Sequence, residues 1–152
     1  MASASPATSS TNADFIDRNV LLYVFDEVDS RKQSIATELV DHPLRYRRGI
    51  ISFQVVQEVL NVLTRKLGAS TTDTQHYLED VLVPMWEVGP SQDLYREALR
   101  IHGRFGYAFY DAQIIAAAAS RGCKRLQSEY LHNGHELAGV QIVNPFAGDA
   151  TS

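Results

Sequence analysis

The strongest constraint on this chain is a rhythm: short apolar runs alternate with longer stretches whose apolar residues recur at helical spacing. The short runs are FID at 15–17, GIIS at 49–52, MWEV at 85–88, RLQS at 125–128 and VQIV at 140–143. Between them, Ile35, Leu39 and Val40 share one helical face, and Val56, Val59, Leu60, Leu63 and Leu67 form a stripe closed by Gly68. The spacing predicts helices over 19–27, 30–42, 53–67, 71–83, 91–105 and 109–120. Ser91 is a suitable N-cap and Gly106 a suitable terminator for the fifth. Helices between strands are the crossovers that parallel neighbours require, and such crossovers are right-handed. The pattern therefore predicts an α/β domain built on a mostly parallel five-stranded sheet.

A chain of 152 residues is one domain, long enough to bury a real core. Residues 1–13 are small and polar and predict a disordered tail, and 148–152 predict a second one, leaving 14–147 as the folded domain. The first tail has no basic segment followed by an apolar one, so it does not read as a secretory signal. No run is long and apolar enough to span a bilayer. The single cysteine, Cys123, reads as a small buried apolar residue and fits a reducing cytoplasm. A formal net charge of -4 argues against bulk electrostatic capture of nucleic acid, though not against a metal that handles phosphate.

The chemistry lies in the acids. Open parallel sheets bind ligands beyond the carboxyl ends of their strands. Asp17 closes the first strand, and Glu129 follows Ser128 at the end of the fourth. Glu58 stands in the second turn of the helix leaving the second strand, between Val55 and Val62. Asp111 stands in the first turn of the apolar helix FYDAQIIAAAAS, on the face of Ile114, Ile115 and Ala118. Each has an ordinary reading as a cap, a dipole partner or a solvated side chain. Gathered at one rim they repel one another, unless protons are shared or a cation is bound. Oxygen ligands of this kind suit Mg²⁺ or Mn²⁺.

Other features carry less. His132 and His135 lie three apart in a turn-rich segment, with no further Cys or His to complete a zinc site. The basic runs at 45–48 and 64–66 fall on the rim opposite the acids and read as solvated surface. Phe105, Tyr107, Phe109 and Tyr110 read as core and interface packing. No Asp-x-Asp follows the first strand and no glycine-rich phosphate loop is present, which disfavours phosphatase and receiver-domain readings.

FIDRNVLLYVFD, IISFQVVQEVLNVLTRKL, FGYAFYDAQIIAAAASRGCKRLQSEYL and GVQIVNPF together resemble the PIN-domain ribonucleases, especially the toxin components of VapBC-type pairs. The resemblance runs from Phe15 to Phe146. It implies a PIN-like doubly wound sheet with helices on both faces and metal-dependent endonucleolytic hydrolysis of RNA. It also implies a type II toxin that forms a homodimer and is inhibited by a cognate antitoxin. On the family's pattern Asp17, Glu58 and Asp111 are its first three acids, holding Mg²⁺ or Mn²⁺. Asn19, Ser52 and Ser128 match positions that support them.

Two positions depart. The family's first motif is Asp-Thr-Asn, whereas this chain has Asp17, Arg18 and Asn19. A fourth acid often falls where this chain has Tyr130, with Glu129 one residue early. Arg18 either pairs with the neighbouring acids in competition with a cation, or turns to solvent and meets substrate phosphate. The departures leave a second reading open, a degenerate module that keeps its dimer and antitoxin contacts but cleaves poorly.

Overall fold

The structure, a computed structural model, describes residues 11–147. Of the tails expected at 1–13 and 148–152, residues 1–10 and 148–152 lie outside the described residues. Thr11 to Ala13 belong to the domain rather than to a tail. Thr11 bridges to Cys123, its N–H donating to the Gly122 carbonyl at 3.1 Å, and Ala13 is buried.

Six strands form the sheet: β1 (Asp14–Ile16), β2 (Gly49–Ser52), β3 (Trp86–Val88), β4 (Arg125–Gln127), β5 (Glu136–Leu137) and β6 (Val140–Val143). Their order is β3-β2-β1-β4-β6-β5. Every pairing is parallel except β5 with β6. The chain starts in the middle, winds outward through β2 and β3, then returns to the other side of β1 through β4 and β6. This is the doubly wound arrangement. The winding reverses between β1 and β4, and such a switch point opens a crevice at the strand carboxyl ends. Phe15 and Ile16 point to opposite faces and are both fully buried, so helices cover the sheet on both sides.

The sixth strand escaped the sequence because it is two residues long. It turns back through Ala138 and Gly139, both at positive φ (53° and 79°), the geometry of a two-residue hairpin turn.

The helices are α1 (Arg18–Tyr23), α2 (Ser30–Tyr46), α3 (Phe53–Arg65), α4 (Thr71–Tyr77), α5 (Val83–Met85), α6 (Gln92–Phe105) and α7 (Phe109–Ser120). α1 is shorter than expected because Asp26 Oδ1 accepts from the N–H groups of Val28 and Asp29, fixing a turn instead of a further helical turn. Asp29 then caps α2 by accepting from Lys32 N. α2 runs past Pro43 to Tyr46 and ends on Arg47 in the left-handed conformation. Pro43 is held there by packing: a Cβ on Gly49 would lie 2.8 Å from Pro43 Cβ and 3.0 Å from Met85 Sδ, so only glycine lets α2 close on the sheet. The helix expected over 71–83 is α4 followed by a π-helical turn at Leu78–Leu82, after which Pro84 begins the short α5 within its first turn. α6 matches expectation, with Ser91 Oγ capping Leu94 N and Gly106 ending the helix at φ 82°.

Candidate functional site

Asp17 follows β1 directly and caps α1. It is 4% exposed and sits at the switch point. Its Oδ1 accepts from Arg18 N at 2.7 Å, and its Oδ2 accepts from Ser128 Oγ at 2.8 Å. Ser128 is fully buried just beyond β4, so the carboxylate is gripped from both strands flanking the crevice. Asn19 ties the same two segments, its Nδ2 donating to Ser128 Oγ at 3.4 Å and its Oδ1 accepting from Glu129 N at 3.0 Å. Burial pushes the Asp17 carboxyl above its ordinary value. The Ser128 and Arg18 bonds oppose that shift, and the nearby charge of Asp111 adds to it.

Glu58 is half-buried on α3. Burial raises its carboxyl too, and the charge of Asp17 raises it further, while Arg18 works the other way. Arg18 Nη1 reaches Glu58 Oε1 at 3.3 Å, so of the acids beside it this residue's side chain pairs with Glu58 rather than Asp17. Asp111 begins the otherwise fully buried stretch of α7, is itself only partly covered, and its side chain makes no hydrogen bond or ion pair among the described residues. Asp17 is thus within electrostatic reach of both Glu58 and Asp111. Among the described residues, however, no three of His, Cys, Asp or Glu form a ready-made metal cage.

α3 and α7 are pinned together by buried amides that the sequence pattern did not single out. Gln113 Nε2 donates to Gln54 Oε1 at 2.6 Å, and Gln54 Nε2 donates to the Tyr110 carbonyl at 3.1 Å. These bonds fix the spacing of the helices that carry Glu58 and Asp111. Both glutamines are nearly inaccessible, and the available signal was a polar side chain set among apolar helix neighbours. Ser52 closes β2 at the same edge, and its Oγ is buried without a partner. Such an orphan is costly unless a water or a ligand meets it.

Glu129 looks elsewhere. Tyr23 Oη donates to its Oε1 and Lys32 Nζ to its Oε2. Partial burial would raise this carboxyl, but the Lys32, Tyr23 and Tyr130 contacts outweigh it and hold the group below its ordinary value. Lys32 also lies 4.8 Å from the Tyr23 ring centre. Glu129 is therefore neutralised by Lys32, and Tyr130 is 68% exposed in place of a fourth acid.

Of the remaining candidates, Phe105 and Tyr110 depart from the packing expected of them, Phe105 being 36% exposed. Cys123 is buried and its thiol is pushed up to about 12 by that burial, so it is inert. His132 and His135 lie outside the strands, and Tyr107 Oη meets His135 Nδ1 at 2.6 Å. Tyr110, expected in packing, is 67% exposed beside Asp111.

An open parallel sheet with a buried carboxylate at its switch point defines a class of strand-end acid sites, and comparison with known proteins narrows it. The PIN domain family matches residues 15–130, and the chain belongs to that family. Among solved structures, a toxin–antitoxin complex from Klebsiella pneumoniae aligns with TM-score 0.64 and 18% identity, over 88% of this chain and 98% of that one. FitAcB from Neisseria gonorrhoeae aligns with TM-score 0.60 and 16% identity over 88% and 98%. The VapC20 toxin of Mycobacterium tuberculosis, which cleaves the sarcin–ricin loop, aligns with TM-score 0.56 and 20% identity over 75% and 87%. At these identities the likeness is one of fold. A search among curated proteins finds no match.

Proposed function

We propose that this chain is a metal-dependent endoribonuclease, the toxin of a type II toxin–antitoxin pair. The observation that carries this reading is Asp17: a buried carboxylate at the switch point, with the charges of Asp111 and Glu58 close enough to interact, in a PIN-domain chain. Asp17 and Glu58, whose proton affinity burial and neighbouring acids raise, form with Asp111 an oxygen donor set suited to a hard divalent ion. Mg²⁺ commonly takes one or two carboxylates directly and reaches others through water, so no closed cage is needed. Asp17, Glu58 and Asp111 would hold Mg²⁺ or Mn²⁺, which supplies the Lewis acidity that activates water and offsets charge on the scissile phosphate.

The protein's part is positioning. Ser128 and the Arg18 N–H hold both Asp17 oxygens in one orientation, Asn19 locks the β4 end beside it, and the Gln54–Gln113 bridge fixes the helices bearing Glu58 and Asp111. Ser52 offers a hydroxyl at the same edge. An RNA backbone laid across the strand ends would meet the acids that these buried groups hold in place. The same reading gives the chain a cognate antitoxin and a second copy of itself as partners. It also places the chain in the cytoplasm, compatible with the finding that none of the described helices is long and apolar enough to cross a membrane.

The degenerate reading draws on Tyr130 and on the Arg18–Glu58 pair, both of which weaken a cation site. An RNA panel with Mg²⁺ or Mn²⁺ separates the two. The nuclease reading expects cleavage that EDTA abolishes and that Asp111→Asn reduces about 10²-fold or more, the scale on which removing one charge-stabilising group acts. Absence of cleavage under every metal condition, with antitoxin binding intact, would favour the degenerate module.

A further inference from the structure

Arg18 stands where the family's pattern has a threonine, and its surroundings suggest what it does there. Its backbone is fixed, since its N–H donates to Asp17 Oδ1 at 2.7 Å. Its side chain is not fixed in the same way. A single contact at 3.3 Å joins it to Glu58, with the two side chains 38% and 31% exposed. Charge-assisted bonds of full strength are shorter and, for arginine and carboxylate, often bidentate. The pair is therefore loose and open to solvent. The contrast with Lys32 is direct: Lys32 is fastened to both Glu129 and Tyr23.

Arg18 also borders a groove of about 430 Å³ whose lining is largely apolar and carries Asn19, Tyr23, Asp26, Glu27 and the exposed Tyr130 as its polar members. The two residues that depart from the family pattern thus line one surface beside Asp17. An incoming phosphodiester meets an acidic rim on a chain of net charge -4, and it needs a cation there. A guanidinium has five donors, and the Glu58 contact uses one of them.

Resting on the nuclease reading, we propose that Arg18 serves two anions in turn. It neutralises Glu58 while the rim lacks metal, and it passes to RNA phosphate when a divalent ion takes that carboxylate. A divalent ion on Glu58 repels the guanidinium that sits 3.3 Å from Oε1 of the same carboxylate, so metal entry and the Arg18–Glu58 pair oppose one another. The displaced guanidinium remains tethered one residue from Asp17, at the mouth of the groove.

The test is Mn²⁺ titration of the metal-stripped chain by calorimetry, together with the KM for RNA cleavage, on wild type, Arg18→Ala, Arg18→Lys and Asp17→Asn. Arg18→Ala should bind Mn²⁺ about two- to five-fold more tightly, the range set by losing an exposed ion pair. Its KM should rise by a comparable factor, and Arg18→Lys should restore part of both. Unchanged or weaker Mn²⁺ binding by Arg18→Ala, or an unchanged KM, overturns the exchange even where Asp17→Asn abolishes binding as the nuclease reading requires. Mn²⁺ binding indifferent to Asp17→Asn overturns the nuclease reading, and the exchange with it.

Discussion

At Asp17 the chain keeps a carboxylate out of water with only a hydroxyl and a backbone N–H as direct partners, beside two other acids. Its raised proton affinity has a definite sign. The folded state binds this proton more tightly than the unfolded chain. The stabilisation is therefore complete below the ordinary value of 3.8 and is lost as pH rises through the raised folded value. Glu58 behaves alike from its ordinary 4.5. In the metal-free protein at neutral pH the rim should thus be a destabilising element retained for function. Asp17→Asn removes the charge, keeps an acceptor for the Arg18 N–H, and turns the second bond round so that its amide donates to Ser128 Oγ. In EDTA at neutral pH it should raise Tm by about 2–4 °C, the shift expected of roughly 1 kcal/mol in a domain of this size. Its Tm should vary less than that of wild type from mildly acidic to neutral pH. Thermal melts across pH check this, and a lower Tm for Asp17→Asn at neutral pH would mean that the carboxylate supports the fold.

At the scale of elements, α3 and α7 bring Glu58 and Asp111 to the rim, and the Gln54–Gln113 bond sets their spacing. Gln113→Leu would leave Gln54 Oε1 buried without its donor. We expect a loss of about 1–3 kcal/mol, the cost of one unsatisfied buried polar group. The loss of RNA cleavage should exceed what the unfolded fraction explains. Denaturant melts and kcat measured on the same variant check the two together. The helices themselves were legible because they carry strong local signals: Ser91 and Gly106 bound α6, and the apolar run of α7 admits no other reading. The glutamine bridge was not legible, since it joins residues 59 apart that acquire meaning only as neighbours. The same holds for Glu129. Its place after β4 was readable, but its direction was set by Lys32, 97 residues away.

Over the whole molecule, the alternation of short runs and helices was enough to give the parallel sheet, and the strand ends were enough to place Asp17 and Ser128. What escaped were features without a local signature. β5 is two residues long and turns through an alanine at positive φ; the π-helical turn before Pro84 follows from packing rather than composition; and α2 passes Pro43 because Gly49 makes room for it. The proposed site is untouched by these differences because Asp17 stands at the switch point between β1 and β4, which the order of elements alone determines. The central claim is that this crevice holds a hard divalent ion among Asp17, Glu58 and Asp111. The most direct measurement is anomalous diffraction from a crystal of the chain soaked in Mn²⁺. The account predicts a peak within direct or water-bridged reach of Asp17, Asp111 and Glu58. A featureless crevice at saturating Mn²⁺, or a peak confined to Glu129 or the His132–His135 segment, would contradict it.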